Sequence, residues 1–473
     1  MRRYIYSMTC VLSLSGCATF HAHPLTAGTS AATLQQRSLQ SSDLRDYLAR
    51  HDINVTRWPL QQWSVASLVL VAHYYDPNLA IARDRWFKAI AAERTAAAYP
   101  NPPLSLTPLY TTNAPVNISP WTVDIGAALR LITAGKHGDR IAVARAHVEA
   151  ARYTFMQAEW AIDAQVKNAW LDLVTARRRQ LLLEARVEDT RALFDADTAA
   201  VNAGQSPPFD AFATKRLWNK AMNAVVTGRA ATARAQQALA NAIGIPDGRL
   251  AKIRISATDR ISRPRSLPPE SQLQTFVLTQ RADVRADVLR YAASQFRLKL
   301  AIAQQYPSIT VGPGYRWDQG AHRWSLGFSL ILPVFNQNQG PIAEARAQRT
   351  LRADQLRALQ LELISQLKNA VTTYRTAQRM LELALQRLRD DQKQVRDDHT
   401  ALTHGQIART TWLRARIALV QGELDVIDAH AQLLHARLRI ATLIEHPLGS
   451  DTAPNSKRLH AMSWSCRFPS ATT

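Results

Sequence analysis

The sequence has little of what small secreted domains, metal proteins and helical membrane proteins rely on. Its 473 residues hold three cysteines, Cys10, Cys17 and Cys466, and no two stand at metal-ligand or redox spacing. A disulfide framework is therefore excluded as an organising device. Glycine is sparse, at 17 residues, so loops do not dominate the chain. No apolar run approaches the about eighteen residues a spanning helix needs. The longest candidate, Val65 to Ala72, is far too short. Walker loops, Gly-x-Ser-x-Gly elbows, His-Glu-x-x-His helices and Cys-x-x-Cys pairs are all missing, so no enzyme activity, cofactor or metal site is expected. His399 and His404 lie five residues apart and do not share a helical face.

What is present is helix former. Ala, Leu, Gln, Arg and Glu fill long stretches, which predicts a mostly helical body. Lys and Arg number 58 against 37 Asp and Glu, a formal net charge of +21. The basic residues are interspersed with acids along the helices and form no block of the kind that binds nucleic acid. Solvated helix faces account for them, and no nucleic-acid partner is expected.

The start of the chain reads as a targeting segment. Arg2 and Arg3 precede an apolar run to Leu14, followed by Ser15, Gly16 and Cys17. A basic start, a short apolar core and small residues describe a secretory signal over 1–16. Leu14-Ser15-Gly16-Cys17 resembles the bacterial lipobox, in which the signal is cut before a cysteine that then takes lipid. Cys17 is the expected lipidation site, and 17–64 reads as a flexible tether carrying His21 and His23.

Beyond it the chain repeats itself. Tyr99-Pro100 has a twin in Tyr306-Pro307, Trp121 in Trp324, Ala144-Arg145-Ala146 in Ala345-Arg346-Ala347, and Gly204 in Gly405. The last two pairs share one offset, 201 residues. Repeats of this length are structural units. The reading gives a first unit over 65–246, an Arg-, Ser- and Pro-rich irregular linker over 247–271, a second unit over 272–446, and a tail over 447–473 without signal. Each unit has a moderate helix (65–98; 272–305), two short strands (102–112 and 121–132; 307–317 and 323–333), a very long helix (139–202; 342–404), a glycine turn and a final helix.

The strands carry the most information. Trp121, Val123, Ile125, Leu129 and Leu131 alternate with Thr122, Asp124, Gly126 and Arg130. Trp324, Leu326, Phe328 and Leu330 alternate with Ser325, Gly327 and Ser329. Each run is close to the about 9–11 residues a tilted strand needs to cross a bilayer. Aromatics mark the hairpin ends, Tyr110 opposite Trp121 and Trp317 opposite Trp324, as an interfacial girdle requires. Four strands cannot enclose a channel, and open edges cannot face lipid. A barrel must therefore be shared between chains; three copies supply twelve strands. Leu356, Leu359, Leu363, Leu367, Val371 and Tyr374 form a stripe suited to coiled-coil packing along a helix about 90–100 Å long.

The lipobox, the doubled helix–hairpin–helix pattern and the glycine turns together resemble the TolC-like outer-membrane efflux factor family, from about residue 65 to 445. The stretch Thr133-Ala134-Gly135-Lys136-His137-Gly138-Asp139-Arg140-Ile141-Ala142 is similar to the strand-to-helix junction of its cobalt–zinc–cadmium resistance branch, and Gly340-Pro341-Ile342-Ala343-Glu344-Ala345 fills the matching place in the second unit. The resemblance implies a homotrimer with a shared twelve-stranded barrel and a long periplasmic α-barrel. It also implies a lipid-anchored protein of the outer membrane, working with a periplasmic adaptor and an inner-membrane pump as a passive conduit for metal cations or small toxic organics. The periplasmic tip, where the adaptor docks, maps onto Gly204, Gln205, Ser206, Gly405 and Gln406, and the channel gate onto Asp397, Asp398, Arg409 and Arg414. One departure stands out: family members with an aspartate ring carry it just past the second turn, where this chain has Arg409, Arg414 and Arg416 and no acid. The rival reading is a basic coiled-coil envelope lipoprotein without channel activity.

Overall fold

The computed structural model describes residues 19–246, 254–256, 267–446 and 448. Cys17, and the tail beyond 448, lie outside the described residues. In chain order the first unit comprises α1 (Ala27–Gln36), α2 (Ser42–Arg50), β1 (Gln62–Trp63), α3 (Val65–Tyr75), α4 (Pro77–Ala97), β2 (Leu104–Tyr110), β3 (Trp121–Ala127), β4 (Leu129–Leu131), α5 (Lys136–Asn202) and α6 (Pro208–Ala242). The second comprises β5 (Arg254–Ile255), α7 (Glu270–Thr275), a π-helical turn (Phe276–Gln280), α8 (Ala282–Ala303), β6 (Ile309–Asp318), β7 (Ala321–Leu330), α9 (Gln339–Thr403) and α10 (Arg409–Ile444). The expected architecture, mostly helical, built twice and carrying one small sheet, is what the chain adopts.

Two helices set the scale. α5 and α9 run for 67 and 65 residues, about 100 Å each at 1.5 Å per residue. Their interiors contain no proline, and Gly138, Gly340 and Pro341 fall in first turns where they are tolerated. Along each lie two shorter helices, α4 with α6 and α8 with α10. No described helix is long and apolar enough to cross a membrane.

The moderate first helix of each unit is broken. In the first unit the Asp76 carboxylate accepts from the Asn78 and Leu79 amides, with Pro77 at the first helical position, so α4 restarts as a separate helix. In the second, Arg281 interrupts the run. Its guanidinium grips the Asp283 carboxylate at 2.9 and 2.6 Å and donates to the Leu443 carbonyl at 2.7 Å. The Glu445 carboxylate accepts from the Ala282 amide at 2.6 Å. That bond holds Glu445 at φ +48°, the place occupied in the first unit by Gly244 at φ +74°.

The segment read as a loose tether packs on the body from residue 37 onward. Leu44, Leu48 and Trp63 are fully buried and share a core with α3, α5 and α6, through Leu68, Val166, Leu173 and Leu239. The linker, read as irregular, contributes one short strand. β5 pairs in parallel with β1, and the Trp170 indole donates to the Ser256 carbonyl. A second core gathers Leu273, Val277, Leu367, Val371, Tyr374 and Leu433 around α7, α9 and α10.

The main sheet is antiparallel in the order β2, β3 with β4, β6, β7. β3 and β4 keep one register against β6, so they form a single strand interrupted at Ala128, whose amide donates to the Pro103 carbonyl. The hairpin turn between β6 and β7 corrects one expected pairing. Gln319 and Gly320 both have positive φ, a two-residue turn that pairs Asp318 with Ala321. Trp317 therefore stands opposite His322, and Trp324 opposite Tyr315. Tyr110 does stand opposite Trp121, ring centroids 5.0 Å apart.

Candidate functional site

The register sorts the sheet into two faces. Directly paired residues share a face, so Leu106, Ile125, Tyr315 and Trp324 lie together, as do Leu129, Val311 and Phe328. This face is apolar and bare: Trp324 is 82 % exposed, Phe328 68 % and Leu106 65 %. A sheet on a soluble core would bury it. The opposite face pairs most of its charges internally. Arg316 grips Asp124, Arg323 meets Asp318 at 3.2 Å, and Thr122 donates to Asp318 at 3.0 Å. Pairing of this kind suits a water-filled interior, where polar groups keep partners and water. The outer edges of β2 and β7 have no neighbouring strand among the described residues.

At the far end of the long helices the two glycine turns are built alike. Gly204 sits at φ +70°; its amide donates to the Val201 carbonyl, and that of Gln205 to Ala200. Gly405 sits at φ +68°, with matching bonds from Gly405 to Leu402 and from Gln406 to Ala401. Both are Schellman closures, in which a left-handed residue lets the last carbonyls of a helix find donors. Ser206 leads into Pro207-Pro208 and α6, and Gln406, Ile407 and Ala408 lead into α10. Beyond the first turn Phe209 and Phe212 are 74 % and 66 % exposed, a pair that sequence reasoning does not single out.

Behind the turns, α5 and α10 run antiparallel and are joined by a polar ladder. Asp172 meets His435 at 2.9 Å, Arg179 meets Asp428, and Arg186 donates to Gln421 at 2.6 Å. Both series step by seven residues. Nearer the tip Arg416 meets Asp189 at 2.8 Å and Arg414 meets Asp197 at 3.5 Å, both carboxylates being buried. Burial pushes the Asp189 carboxyl up, and Arg416 offsets part of that.

Of the four expected gate residues, no ion pair joins any two to each other among the described residues. Arg414 is engaged with Asp197; Asp397 and Arg409 are exposed, and Asp398 has one buried carboxylate oxygen without a hydrogen-bond partner. Sequence reasoning misses Asp189 and Asp197 and leaves Arg416 without a partner. Their helices are legible locally, but which residues face each other across two helices is not a property of local sequence. Among the described residues no group of three His, Cys, Asp or Glu side chains could hold a metal ion.

A bare apolar sheet face, a polar face with internal ion pairs and paired helical hairpins about 100 Å away together define a membrane-channel subunit. Comparison with known proteins gives the family. The chain matches the outer membrane efflux protein family over residues 75–245 and 276–445, and it belongs to that family. The cobalt-zinc-cadmium resistance protein CzcC of Cupriavidus metallidurans is 25 % identical over 313 residues, 64 % of this chain and 69 % of that protein. Among solved structures, the outer membrane protein VceC of Vibrio cholerae matches with a TM-score of 0.66 at 17 % identity, over 81 % of this chain and 96 % of that one. The open state of the MtrE outer membrane channel of Neisseria gonorrhoeae gives 0.67 at 15 %, over 82 % and 90 %. The protein is an outer-membrane efflux channel; its family and fold are those of channels rather than enzymes.

Proposed function

We propose that three copies of this chain form a passive export conduit, anchored by lipid on Cys17 and completed by a periplasmic adaptor and an inner-membrane pump. The observation that carries the reading is the pair of free strand edges on β2 and β7 flanking a bare apolar face. Backbone groups on such edges cannot be left in lipid, so β7 of one copy pairs with β2 of the next until the ring closes. Tyr110, Trp121, Trp317 and Trp324 then form the aromatic girdle. The tip formed by Gly204, Gln205, Ser206, Gly405 and Gln406 docks the adaptor, and Asp397, Asp398, Arg409 and Arg414 line the gate region.

The cargo is metal cations or small toxic organics; the resistance relative, named for cobalt, zinc and cadmium, supports the first. Purified protein tests the conduit through its mass in detergent and its planar-bilayer conductance. A trimer with discrete channels is expected, and a water-soluble monomer without conductance would end the reading. Labelling with an alkyne-bearing palmitate in vivo, lost in Cys17→Ser, tests the anchor separately.

A further inference from the structure

Where strands meet helices the charge of the chain is one-sided. Arg130 pairs with Thr310 across the sheet and lies on the polar face with Asp124 and Arg316. The two acids of that face are already taken, Asp124 by Arg316 and Asp318 by Arg323, and no carboxylate pairs with Arg130 among the described residues. Lys136, which opens α5, donates to the Tyr306 carbonyl at 2.7 Å and the Ser308 hydroxyl at 2.9 Å rather than to an acid. Burial and the nearby Arg130 hold its pKa below the ordinary lysine value, so the two cations feel each other.

Adjoining this point, α4, α5 and α8 line a groove of about 330 Å³ floored by Ala89, Ala92 and Ala96 and edged by Arg140, His147 and Arg297. Among the described residues neither Arg140 nor Arg297 meets a carboxylate. Burial lowers the His147 pKa, and the charges that lower it further are those of Arg297, Arg352 and Arg290. The acids of this zone are engaged: Asp139 with Lys299 at 2.9 Å, Glu93 with Arg145 and Glu149 with Arg152 at 3.2 Å, and Asp287 with Arg290 at 2.6 Å. Glu344 on α9 has no such partner among the described residues, and Arg346, Arg349 and Arg352 follow it on that helix.

Uncompensated guanidinium groups raise the local concentration of anions. Arginine also holds carboxylate, sulfonate or phosphate with two parallel hydrogen bonds. At physiological salt such a field reaches about 8 Å, enough to bias ions passing close by. We propose that in the assembled channel this strand-to-helix junction is an anion-recruiting ring, so that the channel favours anionic solutes, organic anions with an apolar body foremost, over free metal cations. The alanine floor supplies contact for the apolar body and the arginines for the charge. This rests on the channel reading and, within it, selects small organics over the metal cations that the name of the resistance relative favours.

The test is the reversal potential of the full-length purified protein in planar bilayers under a potassium chloride gradient. The expected sign is that of preferential chloride passage. Arg130→Gln, and Arg140→Gln with Arg297→Gln, shift the potential toward zero while channels still open, whereas Arg130→Lys keeps the preference. Added 1-naphthalenesulfonate reduces current at lower concentration in the wild type than in the double variant. Channels that prefer potassium, or neutral variants with the wild-type potential, overturn the proposal and leave the conduit standing. Protein that forms no channels overturns both.

Discussion

His73 on α3 and Asp163 on α5 are joined at 2.8 Å, the imidazole Nε2 to one carboxylate oxygen, while Lys167 donates to the other at 3.1 Å. The link fastens the outer helix α3 to the long helix of the wall. Burial opposes charge on both partners, but each stabilises the other. The His73 pKa is raised and that of Asp163 lowered. Glu159, one turn away on α5, is pushed up to about 7 by burial, with Asp163 adding to the rise and His73 opposing it.

The signs give a pH profile. The raised His73 and Glu159 contribute stability that is present below their unfolded values, 6.5 and 4.5, and lost as pH rises through the folded ones. The depressed Asp163 contributes above 3.8 and loses its contribution as pH falls through its folded value. The clamp is therefore tightest in mildly acid solution and loosens as pH rises toward neutrality and beyond. Thermal midpoints are expected to fall from about pH 5 upward, and Glu159→Gln to flatten the part of that fall between 4.5 and about 7. Equal slopes in both proteins would show that Glu159 has no such part.

At the tip, Gly405→Ala puts a Cβ on a left-handed residue with open space around it, so backbone strain is the whole effect. The expected loss is about 1–2 kcal/mol, and Gly204→Ala should behave alike. Gly405→Asn, which tolerates this conformation, should lose less. Denaturation of the detergent-solubilised protein measures the order; alanine and asparagine variants of equal stability would contradict it.

Arg414→Ala leaves the buried Asp197 carboxylate without its cation and loosens α5 from α10 near the turn. More frequent or larger openings in bilayer recordings are the expected result. Arg45→Ala, an exposed arginine on α2 well away from the turns, should leave recordings unchanged. If the two variants behave identically, the Arg414–Asp197 contact does not restrain the tip.

On β7 the two faces predict opposite tolerance. Leu326→Arg places a charge on the bare apolar face, and destabilisation of about 2–4 kcal/mol is expected at mid-bilayer depth. Ser329→Lys points to the polar face and should be accepted. The heat resistance of the assembled species on gels reads this difference, and equal loss in both would contradict the assigned faces.

Much of this architecture is written locally. The period-two alternation of Trp121 to Leu131, the shared 201-residue offset and Gly204 with Gly405 are short-range signals, and the strands, repeat and turns follow from them. The break at Asp76-Pro77 is equally local, a cap followed by proline, although helical composition alone runs one continuous helix through it. The Trp317 pairing depends on whether the turn takes two residues or more, and Gln319-Gly320 is the two-residue answer. Non-local features are out of reach. Nothing near Leu44 and Leu48 announces that they pack against α3 and α5, and nothing around Gln62-Trp63 points to Arg254-Ile255 as its strand partner.

The free edges on β2 and β7 also carry a genetic consequence. In the proposed ring of three, one copy with a blocked edge spoils two normal neighbours. Where half the chains are defective, only about one ring in eight contains none of them under random mixing. Edge mutations should therefore be dominant, whereas a mutation that merely prevents secretion should be recessive.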